Sequence, residues 1–251
     1  TPVKVGTIGG RIASGKFKPG KFPQIVIAPG DGIGPLKWYE CTGNPINSAD
    51  WRGHDLFLGK EMTHGHTLEV GDVDGDGHLD IFAAELAKWT EKQTNPNNPN
   101  AKSWIFFGTG RGEFRRLEFT NGHGWHEGRL ADLDGDGDLD LLNKPYNWET
   151  PRVDVWLNGG TNNRFNWKGG GAGKPKSSIT PEIPFRQIVI DRDHPIQPHC
   201  KTVGDIDGDG FIDVLAASAF GQGVFWYASP DWTKHRIDTG SFTTDMQAGD
   251  I

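Results

Sequence analysis

Three nine-residue stretches place carboxylates where they can meet on one cation. They read DVDGDGHLD at residues 72–80, DLDGDGDLD at 132–140 and DIDGDGFID at 205–213. Each has Asp at positions 1, 3, 5 and 9 and Gly at positions 4 and 6. Short carboxylates alternating around a tight glycine turn converge on one hard cation, and position 7 can add its backbone carbonyl. Oxygen-only ligation of this kind suits Ca2+. The candidate ligands are Asp72, Asp74, Asp76, His78 and Asp80; Asp132, Asp134, Asp136, Asp138 and Asp140; and Asp205, Asp207, Asp209, Phe211 and Asp213. The first six positions mimic an EF-hand loop. Position 12, however, is Ala83, Asn143 and Ala216, where an EF-hand needs a bidentate Glu.

A second set of residues keeps the same register. Six positions before the first Asp of each loop stands a histidine: His66, His126 and His199. An imidazole titrates near neutral pH, so the set suits proton transfer; three imidazoles also suit a transition metal with an open position. His64 lies two residues ahead of His66. A fourth copy starts at Asp250 in MQAGDI, with Thr244 at the histidine register and Asp245 beside it, and the chain stops two residues into that loop. This reads as a truncated array.

The flanks of the loops say what holds them. LDIFAAE, LDLLNK and IDVLAAS follow the loops as short apolar runs, which read as buried strands. Further strands follow at KSWIFFGT, RVDVWLNGG and GVFWYASP, then at RRLEFT, FRQIVID and KHRIDTG. The segments GRIASGKF, QIVIAP, PLKWYEC and HDLFLG form a degenerate first unit, whose KPGKFP loop lacks carboxylates. With 36 Gly and 16 Pro in 251 residues, many short strands are favoured over long helices. Four antiparallel strands per unit is the pattern of propeller blades. The units fall at about 1–60, 61–122, 123–195 and 196–240, with a further one starting at 241–251.

The Asp loop between first and second strands resembles the FG-GAP/VCBS repeat of calcium-binding β-propellers. The resemblance implies an all-β chain of four-stranded antiparallel blades, about four of them here, from a seven-bladed propeller whose other blades lie outside this segment. The histidine ahead of the loop, and the W-x-x-H pattern in DWRGHDLF and DWTKHRID, are similar to enzymatic members. Those include polysaccharide lyases of the ulvan and rhamnose–glucuronate type, related glycosidases, and a sugar dehydratase propeller.

In a propeller the first strand of each blade is innermost. The register then places His66, His126 and His199 on one rim, roughly 20 Å from the loops at about 3.3 Å per residue. A second metal on that rim is one reading, and acid–base chemistry is the other. The loop between strands two and three opens on the same side. In one unit it brings Lys144, Tyr146, Trp148 and Arg152; in another it brings Glu85, Lys88 and Trp89. That inventory suits an acidic polysaccharide or oligosaccharide. His126 or His199 would be the base, Tyr146 an acid–base partner, and Arg152 or Lys144 the neutraliser of a uronate carboxylate. Trp148, Trp89, Glu85 and Lys88 would bind substrate. β-Elimination by a lyase is the leading expectation. A non-catalytic calcium-stabilised carbohydrate-binding propeller, a His-dependent glycosidase and a metal-dependent sugar dehydratase are the alternatives. His54 and His235 recur in outer strands and read as packing residues, while His123 and His194 remain without a role.

The net charge of −7 and the lack of a basic stripe exclude a nucleic-acid partner. No apolar run is long enough to span a membrane as a helix, and TPVKVGTIGG lacks the pattern of a leader. Loops of this kind favour millimolar calcium, hence a secreted or periplasmic home. Cys41 and Cys200 make no disulfide framework, and their pairing is open.

Overall fold

The computed structural model describes residues 2–6, 9–87, 97–145, 152–160, 183–193, 195, 198–242 and 246–249. Among them the structure is all-β, with one short 3-10 turn at Ser48–Asp50. The strands are β1 (Ile12–Gly15), β2 (Gln24–Ile27), β3 (Ile33–Gly34), β4 (Lys37–Cys41), β5 (Trp51–Asp55), β6 (Met62–Thr63), β7 (Gly65–Gly71), β8 (Asp80–Glu85) and β9 (Lys102–Gly108). There follow β10 (Phe114–Asn121), β11 (Arg129–Ala131), β12 (Asp140–Asn143), β13 (Val153–Asn158), β14 (Phe185–Asp191), β15 (Pro198–Gly204), β16 (Asp213–Ser218), β17 (Val224–Ala228) and β18 (Thr233–Asp238).

Four antiparallel sheets of four strands result, each a propeller-type blade. Their orders are β1-β2-β4-β5, β7-β8-β9-β10, β11-β12-β13-β14 and β15-β16-β17-β18. The strands β3 and β6 form a small separate pair. Within each blade the strands pair antiparallel in chain order, with β3 set aside in the first.

The chain divides into two compact units. The first comprises Thr1–Asp72 and Asp76–Gly124; the second comprises Val73–Gly75 and Trp125–Ile251. Each has its own core between its two blades. In the first, Phe17, Trp38, Phe57, Ile81, Trp104 and Phe106 pack together. In the second the core holds Leu142, Val153, Val155, Val214, Phe225 and Tyr227. Strand β8 (DIFAAE) is buried at every position. Its two faces alternate, so Ile81 and Ala83 enter the core while Phe82 meets Phe119 edge-on at 6.0 Å on the other face. That double burial explains why the second strands read as continuous apolar runs rather than alternating ones.

The W-x-x-H motifs lie on the outer strand β5 and at the start of the outer strand β18, which Trp232 precedes. The stacking partner of each His is not the Trp of its own motif but one on the neighbouring strand. His54 stacks on Trp38 at 4.1 Å and His235 on Trp226 at 4.4 Å, and both are directly opposed pairs in their ladders. His54 Nε2 also meets Glu40 Oε1 at 3.0 Å. The repeated histidine is thus a cross-strand packing device.

Candidate functional site: carboxylate loops and an imidazole pair

The three Asp-Gly loops share one backbone conformation. Positions 4 and 6 have positive φ in all of them: 72° and 87° at Gly75 and Gly77, 74° and 96° at Gly135 and Gly137, 76° and 90° at Gly208 and Gly210. Side chains rarely adopt these angles, so glycine is required there.

The hydrogen bonds repeat as well. The position 1 carboxylate collects amides from inside the turn. Asp132 Oδ1 accepts from Gly135 N (2.8 Å) and Asp136 N (3.1 Å), and its Oδ2 from Gly137 N (3.0 Å). Asp205 does the same with Gly208 N (2.7 Å) and Gly210 N (3.1 Å), and Asp72 with Asp76 N (3.1 Å) and Gly77 N (2.9 Å). Position 5 then accepts from the position 7 amide: Asp76 from His78, Asp136 from Asp138 and Asp209 from Phe211, at 2.8–2.9 Å.

Position 9 ties the loop to the far end of the third strand. Asp80, Asp140 and Asp213 are all buried. Their Oδ1 atoms accept from Gly108 N (2.8 Å), Asn158 N (2.6 Å) and Ser229 N (2.8 Å). The Oδ2 atoms of Asp140 and Asp213 accept from the position 2 amides of Leu133 (2.7 Å) and Ile206 (2.9 Å).

This scaffold brings carboxylate oxygens to within 4.8 Å of one another for Asp132, Asp134 and Asp136, for Asp205, Asp207 and Asp213, and for Asp72 with Asp80. Burial raises the Asp136 carboxyl above the usual carboxylate range, with Asp138 and Asp132 repelling its charge, and Asp136 Oδ2 is buried with no hydrogen bond. Burial likewise raises Asp140 and Asp213, helped by the neighbouring loop carboxylates. A cluster of oxygen-only donors with a buried carboxylate oxygen that no hydrogen bond satisfies fits a hard divalent cation. Position 7 contributes no side chain to this cluster. A methyl group at Gly110 would lie 2.5 Å from His78 Nδ1, and Asp138 likewise closes over Gly160, so both side chains turn away onto neighbouring strand ends.

The histidines lie before the loops, at the opposite ends of the inner strands. In the second unit, His126 precedes β11 and His199 opens β15, and their rings stand 5.9 Å apart at 56°. His126 N donates to Lys144 O (3.3 Å). Lys201, whose side chain is wholly buried, donates Nζ to Pro198 O (3.1 Å) and His199 O (3.3 Å), fixing the start of β15. Sequence reading passed over Lys201, although a lysine inside the apolar run of PHCKTV is a signal. In the first unit, His66 Nε2 meets Asp31 Oδ1 at 2.6 Å. Burial lowers the His66 pKa, and Asp31 opposes that shift. Asp31 was missed because its blade has no Asp loop, though it lies in the connection between strands two and three.

Residues 72–142 match the FG-GAP-like repeat. The match begins at the first Asp of one loop and runs through the next, so it contains two of the loops just described. No curated protein matches the chain.

Around these FG-GAP-like loops, the other expected site residues are placed as follows. Arg152 is already neutralised. A terminal nitrogen donates to Oδ2 of buried Asp154 at 2.9 Å, Nε lies 2.8 Å from Oδ1 as an ion-pair contact, and Gln187 Nε2 donates to the same Oδ2 at 2.7 Å. This ion pair engages the Arg152 guanidinium with a carboxylate of the protein itself. Lys144 is wholly buried, which takes its ammonium away from a ligand arriving from solvent. Glu85 is buried too, and its oxygens accept from Thr63 N (2.8 Å) and Lys102 N (3.0 Å). His64 is wholly buried at φ 51°, with its amide on Gly32 O and its carbonyl on Leu86 N, so it shapes a corner. Lys88, Trp89, Tyr146 and Trp148 lie outside the described residues.

Among the described residues, every group of three or more side chains suited to an ion is an Asp loop. Among the described residues, no such group includes His126 or His199. Cys41 and Cys200 are both free thiols.

Proposed function

We propose that this chain is the calcium-clamped, propeller-type body of a carbohydrate-active enzyme that cleaves uronate-containing glycans by β-elimination. The observation that carries the reading is the imidazole pair at 5.9 Å, His126 and His199, on the second unit. Two rings at that separation can serve neighbouring atoms of one sugar residue. One takes the proton from the carbon α to the carboxylate. The bond from the β-carbon to the glycosidic oxygen breaks, a carbon–carbon double bond forms, and the other imidazole protonates the leaving oxygen. Calcium supplies charge balance to the Asp loops and rigidity to the blades, at the opposite ends of the inner strands. That need for calcium supports a secreted or periplasmic setting.

The test is incubation of the full chain with a glucuronate-rich polysaccharide, following the ultraviolet absorbance of unsaturated uronate. The expected result is product formation that falls by about a hundredfold or more in H126A and in H199A. Glycan cleavage without the chromophore makes the chain a hydrolase.

A second reading has its own support. Arg152 is paired with Asp154 and Lys144 is wholly buried, which leaves the pair, among the described residues of its unit, without an evident neutraliser of a uronate carboxylate. A non-catalytic, calcium-stabilised carbohydrate-binding module accommodates that arrangement. It predicts glycan binding that survives in H126A/H199A with no product formed by the unmodified chain.

A further inference from the structure

A cavity of about 560 Å3 opens in the first unit, between the 57–63 connection and the outer strands of the second blade. Strand alternation builds it. Lys102, Trp104 and Phe106 share one face of β9, and Arg116 and Glu118 stand directly opposite Phe106 and Trp104 on β10. Phe57 meets Trp104 edge-on at 4.8 Å and gives the cavity an apolar floor.

Its charges are unevenly committed. Lys102 is paired with Glu118 at 2.7 Å, and Glu85 is held by two backbone amides. Among the described residues, Lys60, Glu61 and Arg116 are left without an ion-pair partner. The Arg116 guanidinium stands 5.4 Å from the Phe57 ring centre, exposed, with its donors directed to no carboxylate.

We propose that this cavity is a binding subsite for a hydroxylated carboxylate, a single sugar-acid unit. Arg116 and Lys60 take the carboxylate, and Glu61 accepts from the ring hydroxyls. The volume falls in the range of small-ligand sites, about 300–1,000 Å3. Two free cations select an anion, whereas the free Glu61 selects a ligand that also carries hydroxyl donors. An anion without donor groups meets only the first condition. The cavity shares no residue with the His126–His199 pair, so it does not depend on the chemistry assigned there.

The test is calorimetric titration of the full chain, in calcium, with glucuronate and with glucose. Glucuronate binds, glucose binds about tenfold more weakly or worse, and K60A/R116A loses at least about tenfold in glucuronate affinity. Both residues are exposed, and unchanged near-ultraviolet circular dichroism confirms that the variant is folded. The binding event lost in K60A/R116A remains in H126A/H199A. Equal binding of the two sugars overturns the proposal, as does no glucuronate binding. Binding retained in K60A/R116A but lost in H126A/H199A also overturns it and assigns the ligand to the imidazoles. Loss of polysaccharide cleavage with this subsite intact would refute only the catalytic reading.

Discussion

Replacing Asp140 by Ala tests whether the position 9 carboxylate is a structural clamp in its own right. Asp140 is wholly buried, with Leu133 N at 2.7 Å and Asn158 N at 2.6 Å on its two oxygens. Leu133 and Asn158 are themselves wholly buried, so water does not replace the lost acceptors. An orphaned buried donor costs about 1–3 kcal/mol, which puts Asp140→Ala at about 2–6 kcal/mol. Against a typical total of roughly 5–15 kcal/mol, that is a large loss. The assay is urea denaturation of the wild type and D140A, each in chelator and in excess calcium. The clamp predicts a loss of at least about 2 kcal/mol in chelator, before any ion is involved. A loss confined to the calcium arm would refute the reasoning and make Asp140 a ligand and nothing more. Asp213→Ala should cost less, about 1–3 kcal/mol, because Ser229 is buried whereas Ile206 is exposed and water can take the place of its acceptor.

Three further outcomes are expected. Burial raises the carboxyl groups of Asp136, Asp140 and Asp213. In that window the folded chain holds more protons than the unfolded one, so without calcium these groups make stability fall as pH rises through their folded values. At a pH between the ordinary carboxylate range and their folded values, calcium binding then releases protons, and its apparent affinity weakens on acidification; titration there in buffers of different ionisation enthalpy measures the release, and no release contradicts the raised values. Burial lowers the His66 pKa, so its contribution is complete above the ordinary histidine range and is lost as pH falls through that range to the folded value. Asp31→Asn should deepen the loss, seen as a lower melting temperature in acid with little change at alkaline pH. His54→Ala and Trp38→Ala should show a coupling energy of about 0.5–1.5 kcal/mol in a double-mutant cycle, because the rings stack at 4.1 Å; additive effects would remove the stack from the account of β4 and β5.

The blade pattern is legible in the sequence because two local codes coincide. Asp-Gly loops mark the first turn of a blade, and buried apolar runs mark its second and third strands. The position 9 clamp is less legible. Its partners Gly108, Asn158 and Ser229 lie 28, 18 and 16 residues away, and no local pattern marks an amide that needs an acceptor. The Asp31–His66 contact joins residues 35 apart across two blades, one without the loop motif. Arg152 is the opposite case. Asp154 lies two residues on, hence on the same strand face, and that spacing alone signals a pair that competes with any substrate. Cationic residues in a loop between strands suggested a binding surface, and the structure buries one of them, Lys144.

The division between cation-holding loops and a separate imidazole site is tested most directly by elemental analysis of calcium bound to the purified full chain. Three loops carry converging carboxylates, so three calcium ions per chain are expected. The same number should remain in H126A/H199A, and one should be lost in D205N/D207N. A count that falls when the histidines are removed, or that ignores the loss of Asp205 and Asp207, would contradict the assignment.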